Sequence, residues 1–464
     1  MNGKKRMIPV RPFIPFTPFM YSRFLALIVI LYLLIGIQYA ALTPAWQVPD
    51  EPAHYNFIKH IAQTGSLPEL KKGDYDQNYL ARLTGEKFPP DLSIDSIRYE
   101  SWQPPLYYIL ATPIFIIFNG ALLPLRIFSL LLGAGVIVFA YLAVNEAISN
   151  PQSPISNLQP LLAAAFIAFI PQHIAMMAGV NNDSLSELII AIGLWRILAI
   201  SKQPSAVSQS LIFNPYFHLG MIIGLALITK SHAYLLAPVA FVMLLLKWRR
   251  DPITNYQLLK NLALVFVPAI LIGSTFWIRN LYVYGAPDFM ATIRHDSVVI
   301  GQPRTSEWIA QYGMLEVARR FLQTTFQSFW GQFGWMGVVM DQRVYIALTI
   351  FSALLIIGFI IAISRQQSAI SNLLTAQGSL LVVSALLTLA LYLSYNLNYV
   401  QHQGRYLFPA LIPLSVAVSL SLTTWADMFK FLGDKRKWLA FVPIALMAAL
   451  CVFALYRFII PALK

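Results

Sequence analysis

Charge is what this sequence has least of. Only 11% of its 464 residues are Asp, Glu, Lys or Arg, against 58% hydrophobic residues and a mean hydropathy of +0.63. A water-soluble globular chain carries roughly 25% charged residues, so this one has too few to cover a surface facing water. Cysteine is nearly absent. Cys451 stands alone, which excludes a disulfide framework and a thiolate metal site. The short alternating segments of a membrane β-barrel are missing as well. No internal repeat is evident, which argues against a transporter built from inverted halves. Nor is a soluble domain evident at either end.

What fills the chain instead is a series of apolar runs of roughly 18 to 22 residues, the length of a helix crossing a hydrocarbon core. The pattern predicts an all-α polytopic integral membrane protein, a single domain over 1–464. About eleven spans are expected, over 22–42, 121–144, 161–178, 184–200, 211–229, 231–247, 258–277, 344–363, 374–395, 406–422 and 438–458. The first follows a basic stretch and is longer than a signal-peptide core, so it reads as an uncleaved span.

The net charge of +13 would suit a nucleic-acid partner, but its placement excludes one. Lys4, Lys5, Arg6, Arg11, Lys247, Arg249, Arg250, Lys435, Arg436 and Lys437 sit in short stretches beside apolar blocks, as in cytoplasmic loops that follow the positive-inside rule. The segment 104–118, PPLYYILATPIFIIF, is apolar but interrupted by Pro113 and short for a span. If it crossed, the clusters at 247–250 and 435–437 would face away from the side of the basic N-terminus. Laid along the interface, it leaves all three clusters on one side, and an interfacial helix is expected. Two large loops, 43–120 and 281–343, then share the extracytoplasmic side. Both are rich in Trp, Tyr, Pro and Gly and read as packed rather than disordered.

Three groups of polar residues gather on that side. The first is Pro49-Asp50-Glu51-Pro52-Ala53-His54, just outside the first span. Its local pattern is that of a capped helix, with Asp50 as N-cap, Pro52 in the first turn and Gly65 as the stop. Capping does not account for two adjacent acids at a membrane boundary, where ionisable groups are costly. A carboxylate there suits general-base work on an acceptor hydroxyl or amine; Asp50, Glu51 and His54 also offer donor types for a divalent metal. The second is the turn Asn181-Asn182-Asp183, with capping-box spacing from Ser184 to Glu187 and with Gln172 and His173 in the span before it. The third is a set of cations, Lys230, Arg279 and Arg405, each at the outer end of an apolar block. Singly, each fits snorkelling to lipid headgroups. Together they suit binding of a phosphate or pyrophosphate. Phosphate-binding cations beside a carboxylate at a lipid interface fit transfer from a lipid phosphate.

The order of these motifs resembles the GT-C membrane glycosyltransferases, most of all their protein mannosyltransferase and aminoarabinose transferase group, predicted bacterial membrane proteins included. The resemblance rests on Asp50-Glu51, on Gln103-Pro104-Pro105-Leu106-Tyr107-Tyr108 and on the Asn182-Asp183 turn. It rests also on Ser328-Phe329-Trp330-Gly331-Gln332-Phe333-Gly334-Trp335 and on Gly404-Arg405-Tyr406-Leu407-Phe408-Pro409-Ala410. It implies a GT-C-like fold with interfacial helices in the first large loop and a sugar donor carried on polyprenyl phosphate. It implies inverting transfer to an extracytoplasmic glycan, lipid or protein, at an active site facing the periplasm or exterior of a bacterial cytoplasmic (inner) membrane. By the same resemblance Asp50, with Glu51 beside it, acts as base and Asp183 as a second acid. His54, Gln103, His173, Asn182, Lys230, Arg279, Arg405 and Tyr406 are then the expected substrate-binding residues. These motifs make no cofactor certain; a divalent metal at Asp50, Glu51 and His54 is the candidate. Gln103 departs from the acidic, basic or histidine residue often found before the proline pair, so acceptor identity does not carry over. The competing reading is a lipid-linked glycan ligase or polymerase, which leans on arginine and histidine rather than on an acid after the first span. A membrane transporter would gather its polar residues at mid-membrane instead.

Overall fold

The computed structural model describes residues 18–148, 155–203, 213–251, 253–365 and 375–464. The basic residues Lys4, Lys5, Arg6 and Arg11, and the starts expected of the spans at 211 and 374, lie outside them.

The described chain folds into helices in the order its apolar runs predict. α1 (Pro18–Leu42) is followed by three shorter helices, α2 (Glu51–Thr64), α3 (Gln77–Gly85) and α4 (Leu106–Ile117). Next come α5 (Leu122–Ala147), α6 (Gln159–Ala168), α7 (Pro171–Met177), α8 (Asp183–Lys202), α9 (Pro215–Leu227), α10 (Leu236–Arg250) and α11 (Asn255–Tyr284). The second large loop holds α12 (Thr292–Val298), α13 (Thr305–Tyr312) and α14 (Met314–Trp330), then a hairpin pairing Gln332 with Val339 and Phe333 with Val338. α15 (Gln342–Arg365), α16 (Ala376–Asn398), α17 (Leu411–Met428) and α18 (Val442–Ala454) complete the order.

Among the described residues nine helices are long and apolar enough to cross a membrane. They are ten if α6 and α7, bent by 64° at a short break before Pro171, form one span. The remaining expected span, 211–229, is represented by the shorter apolar helix α9. Asn214 accepts N–H bonds from Tyr216 and Phe217 to start α9, and the Leu227 carbonyl already accepts the Tyr234 hydroxyl beyond the helix end. The 13 residues between them reach about 20 Å at 1.5 Å per residue, short of a ~30 Å core. α4 is shorter still, 12 residues with Pro113 inside it, matching the short segment recognised in the sequence.

The core runs down the middle of the bundle. Every residue of α6 is buried, between α5 on one side and α17 on the other. α15 lies at the periphery and exposes Ile346, Ile350, Leu354 and Ile357, one helical stripe that can meet only lipid in a chain of this composition. α9 approaches α11 through Gly220, where an added Cβ would stand 2.4 Å from the Val265 carbonyl oxygen; small residues at such crossings let helix backbones close up. A second, smaller core joins the two large loops: Ala53, Leu80, Leu83, Phe88, Ile97 and Tyr99 pack with Val299, and Trp46 and Trp335 flank them. The loops are packed, as their composition predicts.

Candidate active site

The two adjacent acids after α1 part company. Trp46 and Asp50 both take left-handed backbone angles, φ 68° and 67°, a conformation costing roughly 1–2 kcal/mol per non-glycine residue. The sharp turn sends Glu51 into the protein. Its carboxylate receives Arg126 Nε at 2.8 Å and Nη2 at 2.6 Å, and the backbone N–H groups of Trp46 at 3.0 Å and Val180 at 3.2 Å. Arg126 also donates to the carbonyls of Ala40, Thr43 and Pro44. Glu51 thus ties the turn after α1 to the turn between α7 and α8, and it is absent from the cavity wall.

Asp50 faces the other way. It occupies the N-cap position of α2, yet its side chain makes no cap hydrogen bond. Tyr99 donates its hydroxyl to Oδ1 at 2.8 Å, and Arg405 Nη2 donates to Oδ2 at 2.7 Å. Both residues border a cavity of about 640 Å³, whose wall also carries His54, Gln103, Lys230 and Tyr406. Behind the wall Lys230 Nζ meets Asp183 Oδ1 at 2.6 Å and Asn182 Oδ1 at 2.9 Å, and Asn182 donates to Gln103 Oε1 at 3.3 Å. Residues from the first large loop, from the α7–α8 turn and from the starts of two later spans therefore converge.

The electrostatics follow from burial and pairing. Burial pushes the Asp50 carboxyl up, but the Arg405 charge, His54 and the two hydrogen bonds outweigh it and hold the group below the ordinary carboxylate value. His54 falls to about 3, by burial first and then by the Lys230 charge. It is a neutral imidazole whose Nδ1 shares a 2.8 Å hydrogen bond with the Tyr108 hydroxyl. Glu100, also on the cavity wall, rises to about 7, through burial and then the neighbouring Asp50 charge.

Four sequence expectations need correcting. Glu51 is a scaffold acid, because Arg126 and two backbone donors occupy its carboxylate. With Glu51 turned away, Asp50, Glu51 and His54 do not assemble a metal site. Among the described residues no group of three or more His, Cys, Asp or Glu is arranged to hold one. His173 is sealed inside, its Nε2 on Glu187 at 2.9 Å, so Glu187 is engaged there rather than in the capping box its spacing suggested. Arg279 sits at the correct end of the bundle but off the cavity, donating to the Pro68 carbonyl, to Asn280 and to Tyr284.

The late motifs brace the wall. Gly404 lies so close to α14 that an added Cβ would stand 2.3 Å from the Phe329 backbone nitrogen, and its N–H donates to Ser328 Oγ at 2.7 Å. Gln332 N–H donates to Gln172 Oε1 at 2.9 Å, and Trp335 Nε1 to the Trp46 carbonyl at 2.9 Å. These contacts set Arg405 opposite Asp50. Sequence reasoning missed Tyr99, Glu100, His232 and Arg126. His232 stacks on Tyr406 with ring centroids 5.6 Å apart. Only Arg126 carried a signal: a lone cation inside an apolar run, which calls for a buried partner.

No protein-family model matches the chain, and no curated protein sequence matches it. Its fold does match solved structures. The Archaeoglobus fulgidus oligosaccharyltransferase tethered with an acceptor peptide aligns at 12% identity over 94% of this chain and 55% of its own, with a TM-score of 0.55. The same enzyme in complex with Zn and sulfate aligns at 14% identity over 91% and 52%, with a TM-score of 0.52. The present chain thus spans about half the length of that oligosaccharyltransferase. ArnT from Cupriavidus metallidurans in the apo state aligns at 13% identity over 96% of this chain and 74% of its own, with a TM-score of 0.50; ArnT has also been crystallised bound to undecaprenyl phosphate. The chain is a multi-pass membrane protein with the fold of the GT-C glycosyltransferases.

Proposed function

We propose that the protein is an inverting glycosyltransferase that moves a sugar from a polyprenyl-phosphate donor to an extracytoplasmic acceptor. The observation that carries this reading is the pair of cations on one cavity wall, Arg405 and Lys230, each held by an acid at 2.7 and 2.6 Å. A donor phosphate competes for those cations. Arg405, with its planar fork, and Lys230, as a compact charge, then stabilise the phosphate as it leaves. Of the three wall carboxyls, Asp296 is engaged by Tyr399 and His295, while Asp50 and Glu100 feel the charges of Arg405 and Lys230 and are the groups suited to the acceptor's proton. ArnT, which shares the fold, takes undecaprenyl phosphate, the lipid-phosphate chemistry that this wall suits. The basic residues Lys247, Arg249 and Arg250 lie at the opposite end of α10 from Lys230, which by the positive-inside rule supports an extracytoplasmic cavity.

The test is binding of undecaprenyl phosphate to the purified full chain, beside transfer of labelled sugar from polyprenyl-phosphate donors in membranes. Arg405→Ala and Lys230→Ala each remove a charged hydrogen bond worth about 1.5–3 kcal/mol, so each should weaken binding roughly 10- to 100-fold. Unchanged affinity in both variants would remove the phosphate clamp, and the reading with it.

A further inference from the structure

Asp50 and Glu100 border the same cavity but are held very differently. Each oxygen of Asp50 already accepts a hydrogen bond, one from Tyr99 and one from Arg405. Taking a proton would weaken both bonds and strand the Arg405 charge, so this carboxylate is fixed as an anion. Glu100 has an oxygen, Oε2, that is buried and has no partner. It lies three residues before the Gln103-Pro104-Pro105 turn, and the Gln103 N–H closes that stretch onto the Glu100 carbonyl at 3.0 Å.

Glu100 is not alone on that wall. Trp102 offers a buried indole N–H with no partner, and Gln302 and Gln403 each hold a buried amide oxygen with none. Unmet donors and acceptors on one cavity wall match a ligand that both donates and accepts, which is what a hydroxyl does. The Trp102 ring, 4.7 Å from His295 centroid to centroid, adds an aromatic surface at the same place. An apolar lipid tail would leave all these groups unpaired, at a cost of about 1–3 kcal/mol each.

We infer that Glu100 is the general base of this site, that Asp50 instead positions Arg405, and that the acceptor is a neutral carbohydrate presenting a free hydroxyl. The inference rests on the glycosyl-transfer reading above. In the step, the acceptor oxygen bonds to the anomeric carbon while the bond from that carbon to the phosphate oxygen breaks. The electron pair leaves on the phosphate, and the hydroxyl proton goes to the Glu100 carboxylate, which later returns it to water. The groups facing Glu100 support the assignment. Burial first, then Asp50 and Asp183, push its affinity for protons up, Lys230 and the Gln103 side chain pull it down, and Tyr99, Tyr108 and Tyr395 lie near enough to feel its charge. The net value, about 7, lies where a base is most effective at neutral pH.

The experiment uses the full chain reconstituted with hexosyl- and pentosyl-phosphate polyprenols and offered either a neutral oligosaccharide or a Ser/Thr peptide. Glu100→Gln should lower transfer to the oligosaccharide by roughly 10²- to 10⁴-fold and abolish the loss of activity on acidification through neutral pH. Binding of undecaprenyl phosphate should stay within about twofold, and Glu100→Asp should recover part of the rate and of the pH profile. Transfer by Glu100→Gln at the wild-type rate with the acid limb intact overturns the assignment, and transfer only to the peptide overturns the acceptor class. Infrared titration separates the two readings should no donor be used at all. A carboxyl band titrating near neutral pH in the wild type and missing in Glu100→Gln would leave glycosyl transfer as the idea that failed. The absence of such a band in the wild type overturns the role of Glu100.

Discussion

Two arginine–carboxylate pairs stand back to back at the turn after α1, and they are built for opposite purposes. Arg126–Glu51 and Arg405–Asp50 have nearly equal contact lengths, 2.6 and 2.7 Å. The first is sealed, its side chains 3% and 0% exposed. It is bidentate, and the remaining Arg126 donors go to three backbone carbonyls. In the second the side chains are 9% and 25% exposed, Arg405 Nε has no partner, and a cavity lies alongside. Full satisfaction makes a pair a brace. A single contact beside open volume makes it an exchangeable clamp, one whose cation a phosphate can claim.

The largest effect should come from breaking the brace. Arg126→Ala or Glu51→Ala leaves an uncompensated charge in a closed site, a loss of about 3–5 kcal/mol, read as thermal unfolding of the detergent-solubilised chain. Arg405→Ala should cost far less stability while weakening lipid-phosphate binding. An equal stability loss from both arginine variants would erase the distinction. The next effect concerns what holds the clamp in place. Gly404→Ala drives a methyl group against the backbone of α14, an overpacking cost of about 1–3 kcal/mol. Because the shift falls on the residue next to Arg405, undecaprenyl phosphate binding should weaken even where the variant remains folded. Undiminished binding in a folded Gly404→Ala would detach the late motif from the site.

The distinction between brace and clamp also marks how far the sequence could be read. Charge parity along the apolar runs brought Asp50, Asp183, Lys230 and Arg405 to one end of the bundle, and there they meet. Parity gives a level in the membrane, not a direction around the helix. That is why Arg279, at the same level, turned out to bond Pro68 and Tyr284 instead. Glu51 was misjudged for a related reason: adjacency to Asp50 says nothing about a left-handed turn that sends the two side chains apart. Its partner Arg126 was visible as an isolated cation in an apolar run, yet only the fold reveals that the two are 75 positions apart in sequence and in contact. Glu100 was illegible. It sits in a polar stretch where most acids face water, and the burial that changes its chemistry is purely tertiary. The run 211–229 folds as a shorter helix than its apolar length suggests, α9, confined between Asn214 and the turn at Lys230.

The smallest effect tests whether the cavity side of the comparison holds a proton. Burial and the Asp50 charge raise Glu100 from an ordinary 4.5 to about 7 in the folded protein. The native state therefore binds that proton more tightly than the unfolded chain does. Its contribution to stability is complete below the unfolded value and is lost as pH climbs through about 7. Asp50, held below its ordinary value by Arg405, has the opposite sign: its contribution is present at neutral pH and is lost only in acid, as pH falls through the folded value. The two steps are thus well separated in pH. The wild-type unfolding temperature should decline from mildly acidic to mildly alkaline buffer, and Glu100→Gln, neutral throughout, should lack that decline while keeping the acid-side loss. A decline of the same size in Glu100→Gln would assign the proton to another group and leave Asp50 as the one cavity carboxylate beside Arg405 with a claim to the acceptor.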